Sequence, residues 1–67
     1  MKIFNLNGEK YYLQEEVTLY NLFIYFNYNH NLLVLEYNQK ILNVNKLKTT
    51  LIQHNDNLEI ITIVGGG

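Results

Sequence analysis

Cysteine, proline, tryptophan, serine, alanine and arginine are all missing from this chain. Without cysteine there is neither a disulfide framework nor a thiolate metal site. Without serine or cysteine the common side-chain nucleophiles are gone, and without arginine there is no guanidinium clamp for a carboxylate or phosphate. Charge is scarce as well: five lysines against six acidic residues give a formal net charge of −1, far from the basic footprint of a nucleic-acid binder. No apolar run approaches the roughly 18 residues of a membrane span, and the N-terminus has no secretion-signal pattern. The expectation is therefore a soluble intracellular protein with neither nucleic acid nor membrane as a partner. What is present is 67 residues, 48% of them hydrophobic, enough for one small core and too few for two.

Residues with AT-rich codons (Phe, Tyr, Met, Ile, Asn and Lys) make up about half of the chain, and glycine is the only residue present whose codons are GC-rich. Drift in an AT-rich genome accounts for that bias, and it thins glycine wherever glycine is dispensable. Three of the four glycines nevertheless stand together as Gly65-Gly66-Gly67. At ordinary glycine usage a terminal triplet has a chance on the order of 3 in 10,000. Either the triplet has a function or it is a linker or cloning remnant.

The chain divides readily into short elements. Phe4 and Leu6 alternate with Asn5 and Asn7 as in a half-buried strand, Asn7-Gly8 is a strong type I′ hairpin signal, and Glu9–Gln14 returns with Tyr11 and Leu13 toward the core. Thr18 is a good helix N-cap, and Leu19, Leu22, Phe23 and Phe26 form one apolar helical stripe, ended among Asn27, Asn29 and Asn31. Leu32–Tyr37 is nearly continuously apolar, which predicts a central strand covered on both faces. Lys40–Val44 reads as a short strand, Asn45–Thr50 as a polar turn or a single helical turn, His54–Asn57 as a turn, and Leu58–Val64 as a β-branched closing strand. This order predicts an α+β fold, a mixed sheet of four to five strands with one main helix across one face. With the last strand paired to the first, the topology is the β-grasp, or ubiquitin-like, arrangement, formed by residues 1–64 with 65–67 as a flexible glycine tail.

Catalytic and metal chemistry finds little to work with. His30 and His54 both sit in asparagine-rich turns without enough neighbouring ligands for zinc, and read as solvated loop residues. Asp56 and Glu59 could be imagined as a carboxylate pair, but they read better as a turn former and an exposed strand residue. The lysines are scattered, and no helix follows the glycines to make a phosphate loop. No catalytic residue and no permanently bound cofactor or metal is expected. Ile3, Tyr12, Ile61 and Ile63 fall on the sheet face opposite the helix, where an apolar patch would suit a partner protein; drift toward AT-rich codons explains the same residues without a partner.

The tail offers different chemistry. Gly65, Gly66 and Gly67 carry no side chains, reach roughly 10 Å when extended, and could thread a channel too narrow for any β-carbon. The reactive group is the α-carboxylate of Gly67, a poor electrophile until activated as an acyl-adenylate. On this reading the protein is a substrate and carrier, and partner enzymes do the catalysis.

The hairpin Leu6-Asn7-Gly8, the helix start Thr18-Leu19 with Leu22-Phe23, and the ending Leu58-Glu59-Ile60-Ile61-Thr62-Ile63-Val64-Gly65-Gly66-Gly67 together resemble the ThiS family, the sulfur carriers of thiamine biosynthesis. The resemblance covers essentially the whole chain and is weakest over Lys40–His54, and the Asp-Gly-Asp turn usual in the family is matched here to Asn55-Asp56-Asn57. It implies that a ThiF-type adenylating enzyme activates Gly67 with Mg-ATP. A sulfur-delivering persulfide enzyme then converts Gly67 to a C-terminal thiocarboxylate, and thiazole synthase takes the sulfur. The small subunit of molybdopterin synthase shares the di-glycine end and is typically somewhat longer; a ubiquitin-like modifier and a plain β-grasp interaction domain are further alternatives. The codon bias suits the plastid stroma, if the chain is plastid-encoded, or otherwise a bacterial cytoplasm.

Overall fold

Local chemistry at Asn7–Gly8 starts the fold. In the computed structural model, which describes residues 1–62, Asn7 and Gly8 have φ of 51° and 84°, the two positive values a type I′ turn needs. They join β1 (Lys2–Leu6) to β2 (Glu9–Leu13), with Phe4 opposite Tyr11. The same device returns at Asn38–Gln39, with φ of 53° and 73°, between β3 (Leu33–Tyr37) and β4 (Lys40–Leu42). Gln39 stands where glycine is the usual residue, because a β-carbon in the left-handed region costs about 1–2 kcal/mol. Replacement Gln39→Gly is therefore expected to raise the unfolding free energy by about 1 kcal/mol, measured by urea denaturation. A lower midpoint in the glycine variant would refute this.

Helix α1 (Leu19–Tyr25) begins and ends as its sequence dictates. The Thr18 Oγ1 accepts from the Asn21 backbone N–H at 3.1 Å, and the Asn21 side chain reaches back to the Thr18 N–H at 3.4 Å, a capping box built with asparagine in the usual glutamate place. At the other end Asn27 turns left-handed at φ 60°, and the N–H groups of Asn27 and Tyr28 donate to the carbonyls of Ile24 and Phe23, the pattern of a Schellman cap. The helix buries Leu19, Leu22 and Phe23 against Phe4, Leu6, Leu35 and Leu58 of the sheet.

The closing strand β5 (Asn57–Thr62) inserts between β1 and β3, giving the order β2-β1-β5-β3-β4. It runs parallel to β1, with Asn5 opposite Asn57 and Leu6 opposite Leu58, and antiparallel to β3. This is the expected α+β β-grasp fold, with five strands and one helix. One expectation needs correction. The centre of the sheet belongs to β5, not to the apolar run Leu32–Tyr37. Within that run Leu32 lies in a 3-10 turn (His30–Leu32), Leu35 is buried, and Val34 and Glu36 face the side without the helix. For the segment Asn45–Thr50 the structure has the helical alternative. Residues 45–49 lie in a second 3-10 helix (Val44–Thr49), capped by Thr50, that supplies the buried Leu47, and the loop beyond it supplies Ile52, which is 0% exposed. Ile52 is fixed by its N–H to the Val17 carbonyl at 2.9 Å, a bond between loops 35 residues apart that no local pattern announces.

Asp56 is the buried charged side chain of the described residues, at 6% exposure. Its carboxylate accepts from the Tyr37 hydroxyl (2.6 Å), the Asn38 side-chain amide (3.0 Å) and the Gln53 N–H (2.7 Å), so the entry to β5 is bolted to the β3–β4 hairpin. The left-handed residue of this turn is Asn55, at φ 70°. That places the turn one residue earlier than a match of Asp56 to the family's central glycine would require. Asp56 and Glu59 are thus not a carboxylate pair: one is buried in this network, the other is exposed. Burial, the Asp56 hydrogen bond and the Asp56 charge push the Tyr37 phenol up to about 12 from its ordinary 10. Because the folded value is the higher one, the protonated phenol's contribution is intact below pH 10 and is lost as the pH climbs toward 12. Urea midpoints across that interval are expected to fall less steeply in Tyr37→Phe than in the parent; parallel slopes would contradict the assignment.

Candidate functional site at the chain exit

The end of the sheet from which the chain continues into its glycines is built by β5 outrunning β1. After Leu58 the partner strand β1 turns away at Asn7–Gly8, and Asn7 takes over the pairing. Its N–H donates to the Leu58 carbonyl at 2.9 Å, and its Oδ1 accepts from the Ile60 N–H at 2.8 Å. On the other side β3 accompanies β5 further, with Leu35 opposite Ile60, Val34 opposite Ile61 and Leu33 opposite Thr62. Thr62 is thereby held at the rim of the sheet, beside the β1–β2 turn and the start of β3. Ile63, Gly65, Gly66 and Gly67 lie outside the described residues.

The remaining sequence-selected residues, Ile3, Tyr12 and Ile61, do fall on the sheet face away from the helix, but not together. Ile3 and Tyr12 are cross-strand partners. They sit two residues before the Asn5–Asn57 level, whereas Ile61 is four residues beyond it. That is a separation of about 20 Å along the strands, with Asn5 and Asn57 between. The Ile3–Tyr12 end adjoins an apolar groove of about 360 Å³ between β2 and α1, lined by Phe4, Leu13, Val17, Leu22 and Phe26 among others. The exit end has its own set. Val34 pairs with Ile61, Glu36 with Glu59, and Ile41 of β4 with Glu36, all on the outer face. Ile41 is 74% and Ile61 46% exposed. Sequence reading missed Val34, Glu36, Ile41 and Glu59 as members of this surface, because only the β3–β5 register brings them together.

The histidines are separate from both ends of this surface in role. His54 Nδ1 accepts from the Ile3 N–H at 3.0 Å, a turn contact, and His30 opens the 3-10 turn. Among the described residues no group of three or more His, Asp or Glu side chains could hold a metal ion, and no helix is long and apolar enough to cross a membrane.

The ThiS family pattern matches residues 2–67. The chain belongs to the ThiS family. The match runs through Gly67, so the glycine triplet falls within the matched span. A solved structure, the thiamine biosynthesis protein ThiS of Geobacter metallireducens, superimposes on this ThiS-family chain with a TM-score of 0.81. It covers 97% of this chain and 99% of its own at 19% identity, which supports the β-grasp fold. Among curated sequences, the uncharacterized protein ycf40 of Trieres chinensis is 47% identical over 66 residues, covering 98% of this chain and 90% of the relative. The ycf40 protein of Porphyra purpurea is 37% identical over 62 residues, covering 92% and 87%. As a ThiS-family member the chain is a small ubiquitin-like sulfur carrier, which fits a protein that is acted upon rather than one that catalyses.

Proposed function

We propose that this chain carries sulfur as a thiocarboxylate on Gly67 and donates it to thiazole formation in thiamine biosynthesis. The observation that carries the reading is the family match through Gly65-Gly66-Gly67, on a fold whose last described strand leads directly toward them. The structural likeness to a thiamine biosynthesis protein supports the pathway. In the first step a ThiF-type adenylating enzyme joins the Gly67 carboxylate to the α-phosphorus of Mg-ATP and releases pyrophosphate. A persulfide on a delivery enzyme then attacks the acyl carbon and expels AMP, leaving an acyl disulfide. A second thiol cleaves the sulfur–sulfur bond, so that Gly67 keeps one sulfur as thiocarboxylate and the two thiols leave as a disulfide. Thiazole synthase is the acceptor. The nucleophile of the first step is the Gly67 carboxylate itself, and none of these steps needs a side-chain nucleophile or a thiol on the carrier, in keeping with a chain that has no cysteine. The AT-rich composition supports a working place in the plastid stroma for a plastid-encoded chain.

Intact-mass spectrometry tests this. The chain is incubated with a ThiF-type enzyme, Mg-ATP, a persulfide donor and a thiol. A gain equal to replacing one oxygen by sulfur is the expected result. Conjugates on lysine side chains would make the protein a modifier instead, and an unchanged mass would sink the carrier reading.

A further inference from the structure

The tether between fold and chemistry is short, and its length selects a docking surface. The five residues from Thr62 to Gly67 can span at most about 17 Å. An enzyme that encloses the Gly67 carboxylate in a water-excluding site must therefore press against the part of the fold that surrounds Thr62. On the outer face that part is Val34, Ile41 and Ile61 with Glu36 and Glu59. Ile3 and Tyr12 lie about 20 Å further back along the strands, outside the natural footprint of such an enzyme.

The charges on this surface say what the partner brings. The Asn38 N–H donates to the Asn57 carbonyl at 2.8 Å, so the Asn38–Asn57 rung is a hydrogen-bonded pair, and by alternation so is Glu36–Glu59. The two glutamates therefore stand about 5.5 Å apart at their α-carbons, with side chains leaving the same face. Like charges directly opposite each other destabilise a sheet. Here they are also flanked by Ile41 on one side and the Val34–Ile61 pair on the next outward rung, apolar neighbours that screen them less well than water does. A cation placed between the carboxylates reverses the sign of the interaction. A planar guanidinium fits best, since its fork can donate to both carboxylates while its face lies on aliphatic side chains.

We propose that the activating enzyme seats an apolar patch on Val34, Ile41 and Ile61 and places an arginine between Glu36 and Glu59. This inference rests on the reading that such an enzyme acts on Gly67, so the test separates the two. Binding of the full chain to a purified ThiF-type adenylating enzyme is measured by calorimetry, alongside sulfur loading of the parent chain by mass. Removing both charges (Glu36→Gln with Glu59→Gln) is expected to weaken binding at least tenfold and to flatten its salt dependence. The denaturation midpoint of that variant stays level or rises, because a repulsion has been removed. The charge-matched change Glu15→Gln with Glu16→Gln, in the loop at the opposite end, is expected to leave Kd within about twofold. Wild-type affinity in the Glu36/Glu59 variant overturns the docking proposal while leaving the carrier reading standing, provided that the parent is loaded. Equal weakening in both double variants also overturns it, since only bulk charge would then be at work. A parent chain that is neither bound nor loaded defeats both.

Discussion

Removal of Gly67 alone abolishes thiocarboxylate formation and leaves the fold untouched: that is the result expected of a chain shortened by one residue. The carboxylate is still present in the truncated protein, now on Gly66, so its chemistry is unchanged and only its position moves. One residue of extended chain is about 3.4 Å. A near-attack geometry tolerates far less than that, because the reacting atoms must come within about 3–3.5 Å of each other in the correct orientation. The adenylate therefore fails to form, or forms too slowly to be seen, while circular dichroism and the urea midpoint match those of the parent. Loading of the truncated chain at the parental rate would remove Gly67 from the mechanism. Loss of folding in the same variant would be equally damaging, since the described contacts of the core all lie within residues 1–62.

The second large effect concerns stability. Asp56→Ala takes the acceptor away from the Tyr37 hydroxyl, the Asn38 amide and the Gln53 N–H at once. Hydrogen bonds to a charged group each contribute about 1.5–3 kcal/mol, and the donors left behind are part-buried, so the loss is about 3 kcal/mol or more. A domain below 70–80 residues has a total stability of only about 3–5 kcal/mol from its core. The variant is therefore expected to be largely unfolded at 37 °C, and Asp56→Asn to recover part of the loss by keeping one acceptor oxygen. A fall of less than about 1 kcal/mol in Asp56→Ala would show that the network is dispensable.

These two residues also mark what could and could not be read from the sequence. Features decided by neighbouring residues were legible: the Asn7–Gly8 turn, the Thr18 cap, the left-handed Asn27 and the apolar stripe of α1. The first-to-last strand pairing followed from fold analogy and held. Features decided by contacts across dozens of residues were not. Nothing near Ile52 marks it as fully buried, because its surroundings come from Val17 and α1. Nothing near Glu59 says that it will face Glu36, because that depends on the antiparallel register of β5 against β3. The apolar run at Leu32–Tyr37 suggested the centre of the sheet, but its hydrophobicity is divided between the core and the outer face. Of the candidate site, the glycine triplet was legible because composition made it stand out. The docking surface beside it was not, since half of its members look like ordinary exposed strand residues.

Among the described residues asparagine occupies four of the five non-glycine positions with positive φ, at Asn7, Asn27, Asn38 and Asn55, and Gln39 is the fifth. Asparagine is, after glycine, among the residues that tolerate the left-handed region best, so a chain with few glycines can still make these turns.

Because β5 is the central strand and follows the other four described strands in the chain, the sheet has no middle until residues 57–62 are in place. A nascent chain still lacking residues 57–62 has β1–β2 and β3–β4 hairpins with nothing to join them. Two such hairpins are marginal in water, and their joining requires closure of a long loop. A chain cut before residue 57 is therefore expected to leave two unjoined hairpins and no sheet leading toward the glycines.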